Sequence, residues 1–188
     1  YVQRFDSVHI PRPQKSPYLA KEKAYLITGG LGQIATKLAH HLCGHYDAKV
    51  VLVGRTEIRE DQHQLTDTID VGLEQRITRL NSLRELGYDL HYYVADIANS
   101  EDFKSVLNKI EKEVGPIDGV LHTAAARLDD SDTLTPVEGL AVESAKKQFS
   151  SKVSGTLNLY NAFKDKQLDF VWITSSTASI IGGVAYGP

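Results

Sequence analysis

A glycine-rich turn near the start of the chain has the residue types and spacing that bind a dinucleotide pyrophosphate. The segment Tyr25-Leu-Ile-Thr-Gly-Gly-Leu-Gly-Gln-Ile-Ala35 runs from an apolar stretch through Gly29, Gly30 and Gly32 into a helical pattern. Glycines let the backbone approach the phosphates, and the free N–H groups at the helix start face their negative charge. Ala35 stands where a further glycine often sits, and alanine is an accepted variant there.

An arginine follows the next apolar run, at a place where NAD-binding sheets usually carry an acid for the ribose 2′-hydroxyl. The run ends in Val53-Gly-Arg-Thr56, and Glu57 comes only afterwards, in the loop. A guanidinium can bind a 2′-phosphate with two hydrogen bonds, whereas an acid would repel it. We therefore favour NADPH over NADH. The alternative, that Arg55 is a solvated loop arginine, leaves the missing acid unexplained.

Asp96 and Ile97 follow the third apolar run and are candidates for an adenine contact. The carboxylate can accept a hydrogen bond from the adenine amino group while the isoleucine covers the ring. An aspartate that caps the following turn fits the same sequence equally well.

Delivery of a hydride to a ketone requires a proton donor and a hydrogen-bond donor at the ketone oxygen. A tyrosine hydroxyl is a suitable acid if a nearby lysine lowers its pKa, and a serine hydroxyl can hold the carbonyl oxygen. Lys152 lies in a helical stretch, and Ser175 and Ser176 end a late apolar run. In isolation the lysine reads as a solvated helix residue and the serines as strand-end or N-cap residues. Their joint spacing, downstream of the glycine turn, favours a catalytic role.

Alternating strand and helix patterns position these residues. Strands are predicted at 24–28, 49–53, 90–95, 119–123 and 170–174. Helices are predicted at 33–43, at 73–86 and after an N-cap at Asn99 or Ser100, and a further helix is marked by Phe149, Val153, Leu157 and Tyr160. Residues 56–72 read as a surface loop. This pattern predicts an α/β fold, a Rossmann-type doubly wound parallel sheet with helices on both faces, whose strand ends share one ligand-binding edge.

Composition narrows the class of protein. The chain has 188 residues, of which 41% are hydrophobic and 24% charged, with a net charge of −3. The negative charge argues against a nucleic-acid partner, and no apolar run reaches the length of a membrane span. The single Cys43 reads as a small buried residue, and the seven histidines have no ligand spacing, so no metal is expected. We expect a cytoplasmic protein.

The two ends of the chain suggest a domain boundary. Residues 1–23 contain Pro11, Pro13 and Pro17 and are expected to be a linker or the edge of a preceding structural subdomain. Residues 24–188 are expected to form an NADP-binding catalytic domain that is incomplete at its C-terminus.

Taken together, the motifs resemble those of short-chain dehydrogenases/reductases, and more narrowly of the ketoreductase domains of modular polyketide synthases. Besides the glycine turn, the resemblance is carried by Leu52-Val-Gly-Arg55, Ala95-Asp-Ile97, Gly115-Pro-Ile-Asp-Gly-Val-Leu-His-Thr-Ala-Ala125, Ser151-Lys-Val-Ser-Gly-Thr-Leu-Asn-Leu159 and Phe170-Val-Trp-Ile-Thr-Ser-Ser176. The narrowing element is the lysine-bearing helix before the serine strand. In most of the superfamily the lysine follows the catalytic tyrosine on the same helix.

The resemblance implies roles for particular residues. Lys152 and Ser176 are implied to be catalytic, together with a tyrosine thirteen positions after the serine, one residue beyond Pro188. Tyr186 is not expected to replace that tyrosine. Cofactor contacts are implied for Thr28, Gly29, Gly30, Leu31, Gly32, Gln33, Ile34, Gly54, Arg55, Thr56, Asp96, Ile97, Thr123, Ala124, Ala125 and Lys152. Substrate-lining positions are implied for Asp129, Ser175, Gly182 and Tyr186.

The chain departs from the family pattern after the fourth strand. Ala125 replaces a usual glycine, so an extra methyl group is expected beside the nicotinamide ribose. The stretch Leu128-Asp129-Asp130, which in the family accompanies one stereochemical class of alcohol product, is displaced by about one residue. The tryptophan of the opposite class, expected near Ile181, is absent. These positions favour the Leu-Asp-Asp class.

The implied function is NADPH-dependent reduction of a β-ketoacyl thioester to the β-hydroxyacyl thioester within a polyketide synthase. The implied partners are an acyl carrier protein, which carries the substrate on its phosphopantetheine arm, and neighbouring synthase domains. Two alternatives remain open at this point: a non-catalytic dinucleotide-binding or structural module, and a free-standing short-chain reductase of a small ketone.

Overall fold

The computed structural model describes residues 7, 9, 18–58, 71–125, 139 and 141–182. Its five strands are β1 (Ala24–Thr28), β2 (Lys49–Gly54), β3 (Leu90–Val94), β4 (Gly119–His122) and β5 (Phe170–Ile173). Its α-helices are α1 (Gln33–Tyr46), α2 (Val71–Glu85), α3 (Ser100–Glu113), α4 (Val142–Phe149), α5 (Gly155–Phe163) and α6 (Ala178–Ile181). Each predicted strand is found, with its end within one residue of the expected position.

The strands form one parallel sheet in the order β3-β2-β1-β4-β5, covered on both faces. Every residue of β1 is buried, as continuous apolar runs in a doubly covered sheet require. One face packs Leu26 against Phe103 of α3 and Leu159 of α5. The opposite face is covered by α1 and α2. The predicted Rossmann-type doubly wound fold is confirmed.

The strand register brings the functional candidates to one edge. Thr28 at the end of β1 pairs with Val53 of β2 on one side and with His122 of β4 on the other, and His122 pairs in turn with Ile173 of β5. The glycine turn and the segments after β2, β4 and β5 therefore leave the sheet side by side.

Helix α3 follows its sequence pattern closely. The Asn99 side-chain oxygen accepts hydrogen bonds from the backbone N–H groups of Glu101 at 3.1 Å and Asp102 at 3.2 Å, which makes Asn99 the N-cap. The sequence pattern predicts an inner face of Phe103, Val106, Leu107 and Ile110; Phe103, Leu107 and Ile110 are buried and Val106 is partly buried. Local capping and periodicity together determine this helix.

The region before β5 differs from expectation. Instead of one helix, α4 and α5 are separated by a π-helical turn at Ser150–Ser154. A π turn contains more residues than an α turn, so it rotates the helix face that follows. The residues that marked the predicted helix are all exposed, namely Phe149, Val153, Leu157 and Tyr160. The residues that α5 buries are Gly155, Leu159 and Phe163.

Strand β5 lies at the edge of the described sheet and is poorly covered. Val171, Trp172 and Ile173 are 55%, 43% and 48% exposed, although all three are large apolar residues. Beside β5 an apolar groove of about 280 Å³ runs along α5, lined in part by Leu159 and Tyr160. Its lining is mostly aliphatic and aromatic, and Thr156 and Lys164 also contribute to it.

Residues 18–23 pack against the amino edge of the sheet. The Tyr25 hydroxyl donates to the Tyr18 carbonyl and accepts from the Ala20 N–H, both at 3.1 Å. Lys23 forms an ion pair with Asp169 just before β5. A division of the chain at residue 23 stays a prediction, since most of residues 1–17 lie outside the described residues.

Candidate active site

The glycine turn after β1 has a backbone that side chains would obstruct. Gly29 has φ +91°, and a Cβ there would lie 2.6 Å from the Thr123 hydroxyl oxygen. Gly30 has φ +51°, and its Cβ would lie 2.8 Å from the Cα of Gly54. The turn therefore packs closely against Thr123, which follows β4, and against Gly54 at the end of β2. Its own backbone is the surface that a ligand would contact.

Helix α1 begins directly after this turn. Gly32 is its N-cap and has no side chain to cap the first-turn N–H groups, which are therefore suited to an anion. Gln33 and Ile34 are exposed at this end, whereas Leu31 is buried. Ala35 is fully buried, so the helix packs closely at the position where the dinucleotide fingerprint often has glycine. A turn that a Cβ would block, followed by an uncapped helix start, fits a dinucleotide pyrophosphate.

His122 links the end of β1 to the segment that carries Lys152. Its Nδ1 lies 2.6 Å from the Thr28 hydroxyl, and its Nε2 lies 3.1 Å from the Ser151 carbonyl oxygen. A carbonyl only accepts, so Nε2 carries the proton and Nδ1 accepts from Thr28. Burial lowers the pKa of His122, although the Ser151 bond acts in the opposite direction. A neutral imidazole in this tautomer fits both bonds.

Lys152 lies in the π turn and is exposed to solvent at the sheet edge. Close packing directly after the turn fixes its position. Helix α5 begins at Gly155, and a Cβ on that residue would lie only 3.1 Å from the Ile97 side chain. The Asn158 amide also donates to the Ile97 carbonyl at 2.8 Å. The Ser151 hydroxyl is buried and has no hydrogen-bond partner among the described residues. π turns within helices often occur at functional sites.

Ser176 follows β5 and is anchored through its backbone. Thr174 donates to the His122 carbonyl oxygen from its N–H at 3.0 Å and from its hydroxyl at 3.1 Å. The Ser176 carbonyl accepts from the N–H of Ser179 at 3.0 Å and from its hydroxyl at 2.6 Å. Ser175 and Ser176 are both exposed, with the Ser175 hydroxyl 3.4 Å from that of Ser179. His122 therefore contacts the segments of both implied catalytic residues.

The segment after β2 is held in place by a bond from Tyr92 and by the packing of Gly54 against the glycine turn. The Tyr92 hydroxyl donates to the Thr56 carbonyl at 2.6 Å, and burial raises the pKa of Tyr92 to about 12. Gly54 is partly buried against Gly30, whereas Arg55 is exposed. Arg55 is therefore open to solvent, one residue after the backbone that packs against the glycine turn.

Asp96 performs the turn-capping role that was one of its two interpretations. Its Oδ1 accepts from the Ala98 N–H at 3.0 Å, and its own N–H donates to Asp102 Oδ2 at 2.7 Å. Ile97 is buried under α5. An adenine contact by Asp96 stays a prediction, and it would use the other carboxylate oxygen.

Several implied residues cannot be placed. Asp129 and Tyr186 lie outside the described residues, as do the rest of the Leu-Asp-Asp stretch and the residues after Gly182. Gly182 is exposed with φ +67°. Ala124 packs partly against the core and Ala125 is exposed.

Two functional contacts were not predicted from the sequence: the linking role of His122 and the bond from Tyr92 to the segment after β2. The available signal for His122 was a polar residue that closes the apolar run Gly119–His122.

The described part of the chain contains no group of three or more histidine, cysteine or acidic side chains able to hold a metal ion. Among the helices that are described, none is long and apolar enough to cross a bilayer.

These features describe a parallel sheet whose glycine turn is suited to a dinucleotide, with Lys152 and Ser176 in segments that contact His122 at the same edge. Comparison with known proteins identifies the family: the KR domain model matches residues 23–187. The chain therefore belongs to the ketoreductase domains of polyketide synthases, within the short-chain dehydrogenase/reductase superfamily. Membership implies an oxidoreductase with a nicotinamide dinucleotide cofactor.

Individual relatives and a solved structure support this family assignment. The chain is 31% identical over 90% of its length to a subunit of the phenolphthiocerol/phthiocerol polyketide synthase of Mycobacterium tuberculosis (strain CDC 1551 / Oshkosh), of which it spans 9%. It is 26% identical over 93% of its length to polyketide synthase PksM of Bacillus subtilis (strain 168), of which it spans 4%. A crystal structure of an N-terminal ketoreductase from the macrolactin assembly line matches 94% of this chain and 33% of that one, with 25% identity and a TM-score of 0.73.

Proposed function

We propose that the chain is the cofactor-binding and catalytic part of an NADPH-dependent ketoreductase that reduces a β-ketoacyl thioester held on an acyl carrier protein. The observation that carries the proposal is the convergence of the glycine turn, Arg55, Lys152 and Ser176 at one sheet edge, with His122 bonded to three of the four contributing segments. The relatives, which are polyketide synthases, support the same substrate class.

Each residue has a defined task in this proposal. The glycine turn and the start of α1 bind the pyrophosphate, and Arg55 binds the 2′-phosphate. When bound, the reduced nicotinamide supplies a hydride. Ser176 donates a hydrogen bond to the ketone oxygen as negative charge develops there. Lys152 lowers the pKa of the tyrosine that family resemblance expects beyond residue 188, and that tyrosine donates the proton. His122 is a positioning residue, because it acts through Ser151 and Thr28.

The test is reduction of a β-ketoacyl thioester by the protein extended at both ends. We expect NADPH oxidation that depends on the thioester, with at least a roughly hundredfold loss of kcat in Ser176→Ala and in Lys152→Met. Lys104→Met, on the exposed surface of α3, is the matched control and should retain full activity.

Two outcomes would contradict the proposal. Tight NADPH binding without turnover of any thioester would favour a non-catalytic dinucleotide-binding module. Turnover of small free ketones with no advantage for carrier-bound thioesters would favour a free-standing reductase. Carrier protein and neighbouring domains are proposed partners on the same basis.

A further inference from the structure

We propose that Arg76 of α2 is a second guanidinium that binds the cofactor 2′-phosphate beside Arg55 and so contributes to the choice of NADPH over NADH. The inference rests on the NADPH-dependent function proposed above. It concerns a helix that none of the sequence motifs includes.

Helix α2 contacts both segments between which the adenosine ribose of a dinucleotide lies in such sheets. Arg79 donates through Nη1 to the Leu31 carbonyl in the glycine turn at 3.1 Å, and through Nη2 to Gln75 at 3.3 Å. One turn earlier, Arg76 Nη1 lies 3.4 Å from the Thr56 hydroxyl, in the segment after β2. The two arginines therefore bridge the gap between the turn and that segment.

The place of Arg76 is fixed by its surroundings. Tyr92 holds the Thr56 carbonyl at 2.6 Å, and the backbone at Gly54 is packed against Gly30. The positive charge of Arg76 lowers the pKa of Tyr92 against the larger effect of burial, which reflects how close the two side chains are. Arg76 is partly buried, whereas Arg55 is exposed.

The chemistry of a phosphate monoester calls for more than one such group. It presents three acceptor oxygens and nearly two negative charges, and one guanidinium satisfies at most two oxygens. Arg55 is exposed, so solvent screens part of its charge and a second guanidinium would add to its effect. Arg76 has five N–H donors, one of which points to Thr56, and its partial burial strengthens its field at the site.

The experiment is equilibrium binding of NADPH and NADH to the protein and its variants, followed by nicotinamide fluorescence. We expect Arg76→Gln to weaken NADPH binding about fivefold to twentyfold and to change NADH binding less than about twofold. Arg76→Lys, which keeps the charge but not the fork, should fall between wild type and Arg76→Gln. Arg84→Gln, at the exposed end of the same helix, is the matched control and should leave both affinities unchanged.

The outcomes separate this inference from the function on which it rests. Equal loss of both cofactors in Arg76→Gln would overturn it, because Arg76 would then only support the loop. No loss of NADPH in Arg76→Gln, alongside a loss in Arg55→Gln, would overturn it while leaving the NADPH proposal intact. A wild-type protein without preference for NADPH would overturn the cofactor proposal and this inference together. Thermal midpoints of all variants check folding, and Arg76→Lys serves if the glutamine variant unfolds.

Discussion

Replacing His122 with phenylalanine tests the link between the glycine turn and the lysine segment. The ring volume is nearly retained, but the bonds to Thr28 at 2.6 Å and to the Ser151 carbonyl at 3.1 Å are lost. Thr28 is fully buried, so its hydroxyl is left without that partner away from water. Leaving a buried polar group unsatisfied costs about 1–3 kcal/mol, so two such groups predict a loss of about 2–6 kcal/mol in the free energy of unfolding.

The difference in the free energy of unfolding between wild type and His122→Phe should depend on pH. Burial lowers the pKa of folded His122 below its ordinary value of 6.5, so the unfolded chain binds the proton more readily. The stability that neutral His122 contributes is fully present above pH 6.5 and decreases as the pH falls through 6.5 toward the folded pKa. The gap between wild type and His122→Phe should therefore narrow on acidification.

The assay is urea unfolding followed by circular dichroism between about pH 5 and pH 8, the range in which histidine titrates. His91→Phe is the matched control, because His91 is a partly exposed histidine that pairs with Asp89 at 2.9 Å on the surface. It should change stability by less than about 0.5 kcal/mol. The reasoning would be refuted if His122→Phe lowered the free energy of unfolding by as little as the control does. It would also be refuted if the difference in that free energy between wild type and His122→Phe widened on acidification.

Three further predictions use simple measurements. Gly29→Ala places a methyl group 2.6 Å from the Thr123 hydroxyl oxygen, at a residue with φ +91°. Cofactor affinity should therefore fall more than about tenfold in a fluorescence titration. The control Gly87→Ala has φ +69° and open space around the new methyl group, so it should show only a stability loss of about 1 kcal/mol. Burial raises the thiol pKa of Cys43 to about 12, so an aromatic disulfide reagent should react at about pH 8 only after denaturant is added, and fast reaction of the native protein would contradict this. Asn99→Ala removes the α3 cap and should cost about 1 kcal/mol in urea unfolding, whereas the exposed mid-helix Asn108→Ala should not; equal effects would argue against the cap.

The sheet could be predicted from sequence because its signals are local. The apolar run of β2, the Asn99 cap and the Phe103 face of α3 specify their structures without help from distant residues. The glycine turn could also be predicted from the sequence, because only glycine suits the φ of +91° at Gly29 with Thr123, after β4, so close.

The π turn could not be predicted because distant contacts determine it. The approach of Gly155 to Ile97 and the bond from His122 to the Ser151 carbonyl join residues far apart in sequence. Apolar periodicity therefore selected Val153 and Leu157, which are exposed, rather than the buried Leu159. The contacts of Arg76 are likewise tertiary, since its helix gives no sign in sequence of which loop it faces.

The open flank of β5 has a practical consequence for anyone who purifies this polypeptide by itself. No further strand pairs with the outer side of β5 among the residues that the structure describes, and its Val171, Trp172 and Ile173 side chains are all substantially exposed, so it can be extended by the same strand of another molecule. Oligomers that grow with protein concentration would arise at this flank rather than at the cofactor edge. Trp172 is the only tryptophan in the chain, so its emission would report such growth directly.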